Sequence, residues 1–212
     1  VYHYLNKLAA RDKEGQRRGL CHRIVRNIVE LSGVKNVEEL INQISEYIAV
    51  LRKSYDGEKN PPDIQKLKGM IREFEEELVW AHFGVQVKNI RHLRLGFYTG
   101  DIFTEQPSKK RDVEPVLNMI REIEPTVISL AFDPEGSGPD THYKVLQTIA
   151  EALRTWKEEK DLSRLRILGY RNVWYRFHAA DGDVIVPVSL NSLAVLNDAF
   201  NSCYVTQVDS SI

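Results

Sequence analysis

The sequence predicts an α/β fold in which a mostly parallel sheet is covered by helices and preceded by a helical amino-terminal segment. Three observations predict it. Apolar residues before position 82 recur at helical spacing, and from Ile90 onward short β-branched runs alternate with helical patterns. The run from Thr126 to Phe132 leads through a loop into a further helix, the order of a βαβ unit. At 212 residues the chain can form one sizeable domain, or one domain with a helical appendage. Its 42% hydrophobic and 28% charged content describes a globular protein and excludes disordered or fibrous classes.

Each element has a local reason. Leu20, Ile24, Ile28 and Leu31 share a helix face that Ser32-Gly33 ends. Val37, Leu40, Ile41, Ile44, Ile48 and Leu51 repeat the period behind Asn36, a side chain suited to an N-cap, with Glu38-Glu39 in the first turn. Pro61-Pro62-Asp63 opens the clearest helix, whose stripe is Ile64, Leu67, Ile71, Phe74, Leu78 and Ala81, with Gly84 closing it. Arg72, Glu75 and Glu76 are read as lying off that stripe, where they can pair at helical spacing as an ordinary surface ion pair. Strands are expected at Ile90–Leu95, Thr126–Phe132, Leu165–Tyr170, Val173–Phe177 and Val184–Val188. Helices are expected over Asp112–Ile123, from Asp140 or Thr141 to Trp156, and over Ser189–Phe200. The sum is a Rossmann-like arrangement of parallel strands under helices.

Composition narrows the chemistry. The formal net charge is −1, yet Lys7, Arg11, Lys13, Arg17, Arg18, Arg23 and Arg26 meet only Asp12 and Glu14 in the first stretch. That basic face reads first as a solvated or inter-domain surface, then as a phosphate contact; nucleic acid ranks last because no aromatic interleaving follows Tyr4. No apolar run reaches membrane-spanning length, so no membrane partner is expected. Cys21 and Cys203 form no disulfide framework or zinc knuckle; two buried thiols in a reducing cytosol are the expectation, hence a cytoplasmic protein. The start at Val1, without an initiator Met or a leader pattern, reads as a processed chain or a piece of a larger one. Walker, dinucleotide, nucleophile-elbow and His-Glu-x-x-His patterns are absent.

The most informative stretch is Phe132-Asp133-Pro134-Glu135-Gly136-Ser137-Gly138-Pro139-Asp140-Thr141-His142. It leaves the carboxyl end of an apolar strand, where open α/β sheets place their ligands. Acidic side chains around His142 suit a metal or polar-substrate loop. The six histidines show no pair at metal-ligand spacing; His82 and His92 read as structural, and His178 as a residue near a ligand pocket or in a plain loop.

Four segments in order carry a resemblance: Ile71-Arg72-Glu73-Phe74-Glu75, then Leu93 to Ile102, then Ile123-Glu124-Pro125-Thr126-Val127-Ile128, then the Asp133 to His142 loop. Together they resemble the PIG-L/LmbE family of zinc-dependent N-deacetylases. Arg171 to His178 and Val184 to Leu190 are similar to a bacterial subgroup in which such a domain follows a glucosamine-6-phosphate deaminase domain. The resemblance implies a division into a helical segment over 1–60, an insertion or linker of the fusion, and a PIG-L/LmbE-like domain over 61–212 that lacks its first strand motif. It implies zinc as cofactor, with His142 as the metal ligand supplied by the later loop. The family's Pro-His-Pro-Asp-Asp segment, which brings the other ligands and the general base, is not found here and is expected upstream of Val1.

Further roles follow from the same resemblance. The loop's first histidine, which assists the oxyanion or the leaving amine, is replaced by Pro139 or, in a shifted match, Gly138. Neither side chain moves a proton, so the catalytic residues of this chain are unassigned and the segment alone is expected to be inactive. Arg72 matches an arginine near the sugar and Glu75 its helical neighbour. Tyr98 and Asp101 fall in a loop on the pocket side, and Asp140 belongs to the motif's Pro-Asp; Arg72, Tyr98, Asp101 and Asp140 are the expected substrate-binding set. The implied activity is amide hydrolysis of an N-acetylated sugar in amino-sugar metabolism, with a non-catalytic sugar-binding or assembly module as the alternative. Expected partners are an amino-sugar or sugar-phosphate substrate and an amino-terminal deaminase domain of the same polypeptide. Oligomeric state, homo-oligomer included, is left open.

Overall fold

The computed structural model describes residues 1–55, 57–99, 104–133, 140–171 and 176–207. Its main elements, in chain order, are α1 (Tyr2–Ala9), α2 (Lys13–Ser32), α3 (Val37–Lys53), α4 (Pro62–His82), α5 (Glu114–Ile123), β1 (Val127–Ala131), α6 (Asp140–Glu159), β2 (Arg166–Tyr170) and α7 (Leu190–Cys203). They fall into two compact units, one of Val1–His92 with Pro187–Ile212 and one of Leu93–Val186.

The first unit is helical. Asp12 caps α2 by accepting the Gly15 N–H, and α2 ends at Gly33 in the left-handed region at φ +65°, where a side chain would be strained. Asn36 caps α3 through the Glu39 N–H at 2.9 Å while Glu39 reaches back to the Lys35 N–H, so two otherwise orphaned donors are satisfied. Pro62 starts α4, and the predicted stripe packs inward through Ile64, Leu67, Phe74 and Leu78, joined by Met70. Tyr4 meets Phe74 edge to face at 5.9 Å, with Leu78 and Cys203 alongside. A second cluster joins Ile28, Tyr47, Ile64 and Leu67. Arg23 grips both oxygens of Glu77 and lies 5.1 Å from the Phe74 ring centroid.

Two expectations fail in this unit. Glu75 is not on the surface: it is fully buried, for reasons given below. Cys21 is exposed, and only Cys203 is a buried thiol. Ile71 and Ala81 also sit at the partly covered margin of the stripe.

The second unit is α/β. Strands β1 and β2 pair in parallel, Val127 with Arg166 through Ala131 with Tyr170, and α6 makes the crossover. A side chain at Gly169 would bring its Cβ to 2.8 Å of the Phe132 ring, so glycine permits that close approach. The core joins Leu95 and Phe97 to Val113, Val116, Leu117 and Ile120 of the α5 region and to Ala152 and Trp156 of α6. The helix expected from Asp112 begins as a wide turn over Lys109–Val113 and continues as α5. Asp112 holds that turn: its carboxylate accepts the N–H groups of Gly96 at 2.7 Å and Ser108 at 2.8 Å and pairs with Arg111.

The sheet is smaller than the sequence predicts. Among the described residues it has two strands. Residues 90–95 and 184–188 are not strands, residues 173–175 lie outside the described residues, and 176–177 are irregular. The β-branched alternation of 184–188 finds no ladder partner there, and Val184, Ile185 and Val186 remain exposed. The strand expected to be buried is largely uncovered: Leu130 alone is buried in β1, and every residue of β2 is exposed.

Candidate functional site

Asp133, just beyond the carboxyl end of β1, is 4% exposed and faces the first turn of α6. Its Oδ2 lies 3.2 Å from Nδ1 of His142, whose side chain is 27% exposed. An acceptor carboxylate there places the ring proton on Nδ1 and leaves Nε2 as the nitrogen a ligand or metal would take; a carboxylate behind a histidine is the usual outer support of a metal-binding imidazole. The strand end thus sets both the tautomer and the direction of the one histidine that the sequence singled out.

Lys144, two residues beyond His142 in α6, is only 1% exposed. Its ammonium donates to the Thr104 carbonyl at 2.8 Å and to the Thr104 hydroxyl, and it pairs with the Asp140 carboxylate. The Thr104 hydroxyl also donates to Asp140 at 3.2 Å. The hydrogen bond from Lys144 is the largest cause holding the Asp140 carboxyl below its usual range. Asp140, expected to bind substrate, is more than half exposed, and its Oδ2 is already engaged by Lys144 and Thr104.

The remaining expected residues are not brought together by what the structure describes. Asp101, Gly138 and Pro139 lie outside the described residues. Tyr98 belongs to the same unit as His142; its ring lies 5.3 Å from that of buried Phe97, yet 57% of the residue is exposed. Its phenol is raised by desolvation, with a hydrogen bond to Thr141 opposing the rise. His178 caps a short helical turn by accepting the Ala180 N–H at 3.2 Å. A hollow of about 700 Å³ in this unit lies along Lys157–Ser163 at the opposite end of α6 from His142.

Arg72 belongs to the helical unit. It is half exposed and sits 3.5 Å from Glu75, which also accepts the Thr206 N–H at 2.6 Å and the Thr206 hydroxyl at 2.7 Å. Tyr204 donates to Glu76 at 2.7 Å. These carboxylates hold the turn that follows α7, which is why Glu75 is buried: the Thr206 donors stand in for the water it gives up.

A hydrolytic zinc site takes three protein ligands. Among the described residues no three of His, Cys, Asp and Glu converge on one point. They supply one imidazole and the carboxylate behind it, and do not by themselves fit a zinc ion. Sequence reasoning missed Asp133, Lys144 and Thr104 as parts of this site. Asp133 carried a usable signal, since it is the first acidic residue after the apolar strand; Thr104 carried none.

Comparison with known proteins adds one relative. Over 167 residues the chain is 32% identical to a glucosamine-6-phosphate deaminase-like protein of Bacteroides thetaiotaomicron, an alignment covering 74% of this chain and 24% of that protein. The chain therefore spans about a quarter of the length of the curated relative it matches. No protein-family model matches the chain. No solved structure matches it either. No helix among the described residues is long and apolar enough to cross a membrane.

Proposed function

We propose that this chain is the PIG-L/LmbE-like deacetylase part of a glucosamine-6-phosphate deaminase-type protein of amino-sugar metabolism, acting in the cytoplasm on an N-acetylated amino sugar or its phosphate. The observation that carries the reading is the contact between Asp133 and His142 at the carboxyl end of a parallel strand. The name of the Bacteroides relative supports the amino-sugar context. The parallel pair β1 and β2 with its α6 crossover is the kernel from which a larger Rossmann-like sheet would be built.

In this reading His142 gives one ligand to a zinc ion whose other ligands lie outside the described residues. Asp133 holds the imidazole, and the amide is hydrolysed to acetate and the free amine. Deamination of glucosamine 6-phosphate belongs to residues other than these 212. Residues 1–60 form an insertion or linker of the fusion and residues 61–212 the deacetylase-like domain.

A second reading, a sugar-binding or assembly module without catalysis, is favoured by proline or glycine at the proton-transfer position, Pro139 or Gly138. Acetate release from N-acetylglucosamine and its 6-phosphate, measured with the full-length protein, separates the two. The first reading predicts turnover that falls at least about a hundredfold in His142→Ala, because losing a ligand costs more than the roughly 10- to 100-fold of losing an outer-shell partner. Sugar binding without acetate release supports the second reading, and neither binding nor release contradicts both.

A further inference from the structure

Helix α3 carries two apolar faces and packs with one of them. Leu40, Ile44, Tyr47 and Val50 turn toward the helical unit, where Tyr47 is buried in the cluster of Ile28, Ile64 and Leu67. Beside that face runs a second stripe, Val37, Ile41, Ile44, Ile48 and Leu51, at alternating spacings of four and three. This is the a and d pattern of a seam between two helices, sustained along the 17-residue helix. Ile44 stands on the margin between the two faces. Val37, Ile41, Ile48 and Leu51 are 71%, 57%, 43% and 44% exposed.

Single exposed apolar residues need no explanation, but four on one line of one helix do. Helix propensity does not call for them: β-branched Val37, Ile41 and Ile48 are poorer helix formers than the lysine or glutamate that a solvated face would carry. The stripe makes physical sense only under cover.

The charges of α3 indicate what covers it. Glu38, Ser45 and Arg52 lie seven apart along one flank, each one residue past a seam position. The first turn is acidic, with Glu38 and Glu39, and the last is basic, with Arg52 and Lys53. Glu39 is engaged at the N-cap by Lys35 and Asn36. Glu38 and Arg52 are exposed, and neither has a hydrogen-bond or ion-pair partner among the described residues. A second α3 laid antiparallel along this seam sets Ile41 opposite Leu51 and Ile44 opposite Ile48, each pair occurring twice. The same register brings Glu38 beside Arg52 of the partner copy, also twice, with Ser45 of each copy near the two-fold axis. A parallel register would instead gather two acidic turns at one end and two basic turns at the other, and would align the helix dipoles.

We propose that α3 is a homodimer interface: two copies of this chain pair their α3 helices antiparallel through Val37, Ile41, Ile44, Ile48 and Leu51, and reciprocal Glu38–Arg52 ion pairs fix the direction. This stands independently of the amino-sugar reading.

The test uses the full-length protein, since this chain spans about a quarter of its relative's length, and it reads the α3 contact itself rather than oligomer size. Ser45→Cys is combined with Cys21→Ser, which removes the exposed native thiol, and treated with a short bis-maleimide over a dilution series. An inter-chain product absent from Cys21→Ser alone is expected. Adding Ile41→Lys should raise the concentration needed for half-maximal product at least about a hundredfold, by withdrawing two buried isoleucines and placing two charges in the seam. Adding Glu38→Arg or Arg52→Glu should raise it roughly tenfold through two repulsive pairs, and adding both should return it close to the starting value. Positions 38 and 52 lie about 21 Å apart along one helix, so such a rescue arises only between copies. Absence of an inter-chain product with Ser45→Cys overturns the proposal, including the case in which another part of the polypeptide shields position 45 from a monofunctional maleimide. A product that withstands Ile41→Lys, or charge reversals that fail to rescue each other, overturns it as well.

Discussion

Asp112 shows how a single buried carboxylate can organise a loop. Burial raises its pKa, but Arg111 and the N–H groups of Ser108 and Gly96 outweigh it and hold the group below the usual carboxylate range. A depressed carboxyl contributes stability that is fully present above its unfolded value, about 3.9, and is lost as pH falls through the lower native value. Asp112→Asn is therefore expected to cost about 2–3 kcal/mol at pH 7, because its amide would point a donor at a donor. The same variant should show a shallower loss of stability in urea melts between pH 5 and pH 3; equal slopes in parent and variant would contradict this. Glu75 is another buried acid, read as lying off the α4 stripe although it stands four after Ile71 and three before Leu78. What hid it was its charge: nothing near it in sequence announces Thr206, 131 residues away. His142 was legible because an acidic loop after an apolar run is a local pattern. Lys144 was not, since its partner Thr104 is fixed only by the folded chain.

Helices with local caps were read closely, and strands were not. Asn36, Ser189 and Gly33 stand where the sequence places helix ends, because a cap is chemistry between residues three or four apart. Asn36→Ala is expected to cost about 1 kcal/mol, read as a shift in the urea midpoint with an unchanged slope. A change in slope would mean that α3 unfolds apart from its neighbours. Strand formation needs a partner that no local pattern supplies, so the apolar alternation of Val184–Val188 fits a strand yet forms none among the described residues. The parallel pair of β1 and β2 exists because Thr126–Phe132 and Leu165–Tyr170 are joined by a helix long enough for a crossover. Its exposed apolar positions, Ile167 and Leu168 on opposite faces, are those of a strand suited to cover on both sides.

At the scale of the molecule, the two compact units each carry their own core, and the proposed site, His142 with Asp133, belongs to the α/β unit. The two thiols report on the integrity of the helical unit. Burial pushes Cys203 up to about 11, which keeps it a protonated, slow-reacting thiol near neutral pH, whereas Cys21 is exposed. A disulfide-exchange reagent at pH 7.5 should titrate one thiol in the native protein's 212-residue segment and two in denaturant; two fast native thiols would contradict the packing around Tyr4, Phe74 and Leu78. The basic amino-terminal face does not make the molecule a nucleic-acid binder by charge alone, since Lys7 pairs with Asp12 and Arg23 with Glu77 against a net charge of −1. The central claim is that His142, oriented by Asp133, is a ligand. Metal content of the full-length protein, purified without chelator and compared with His142→Ala and Asp133→Asn, tests it most directly. The account predicts about one zinc per chain in the parent, none in His142→Ala and a weakened site in Asp133→Asn. A parent without zinc, or a stoichiometry that survives the loss of His142, would contradict it.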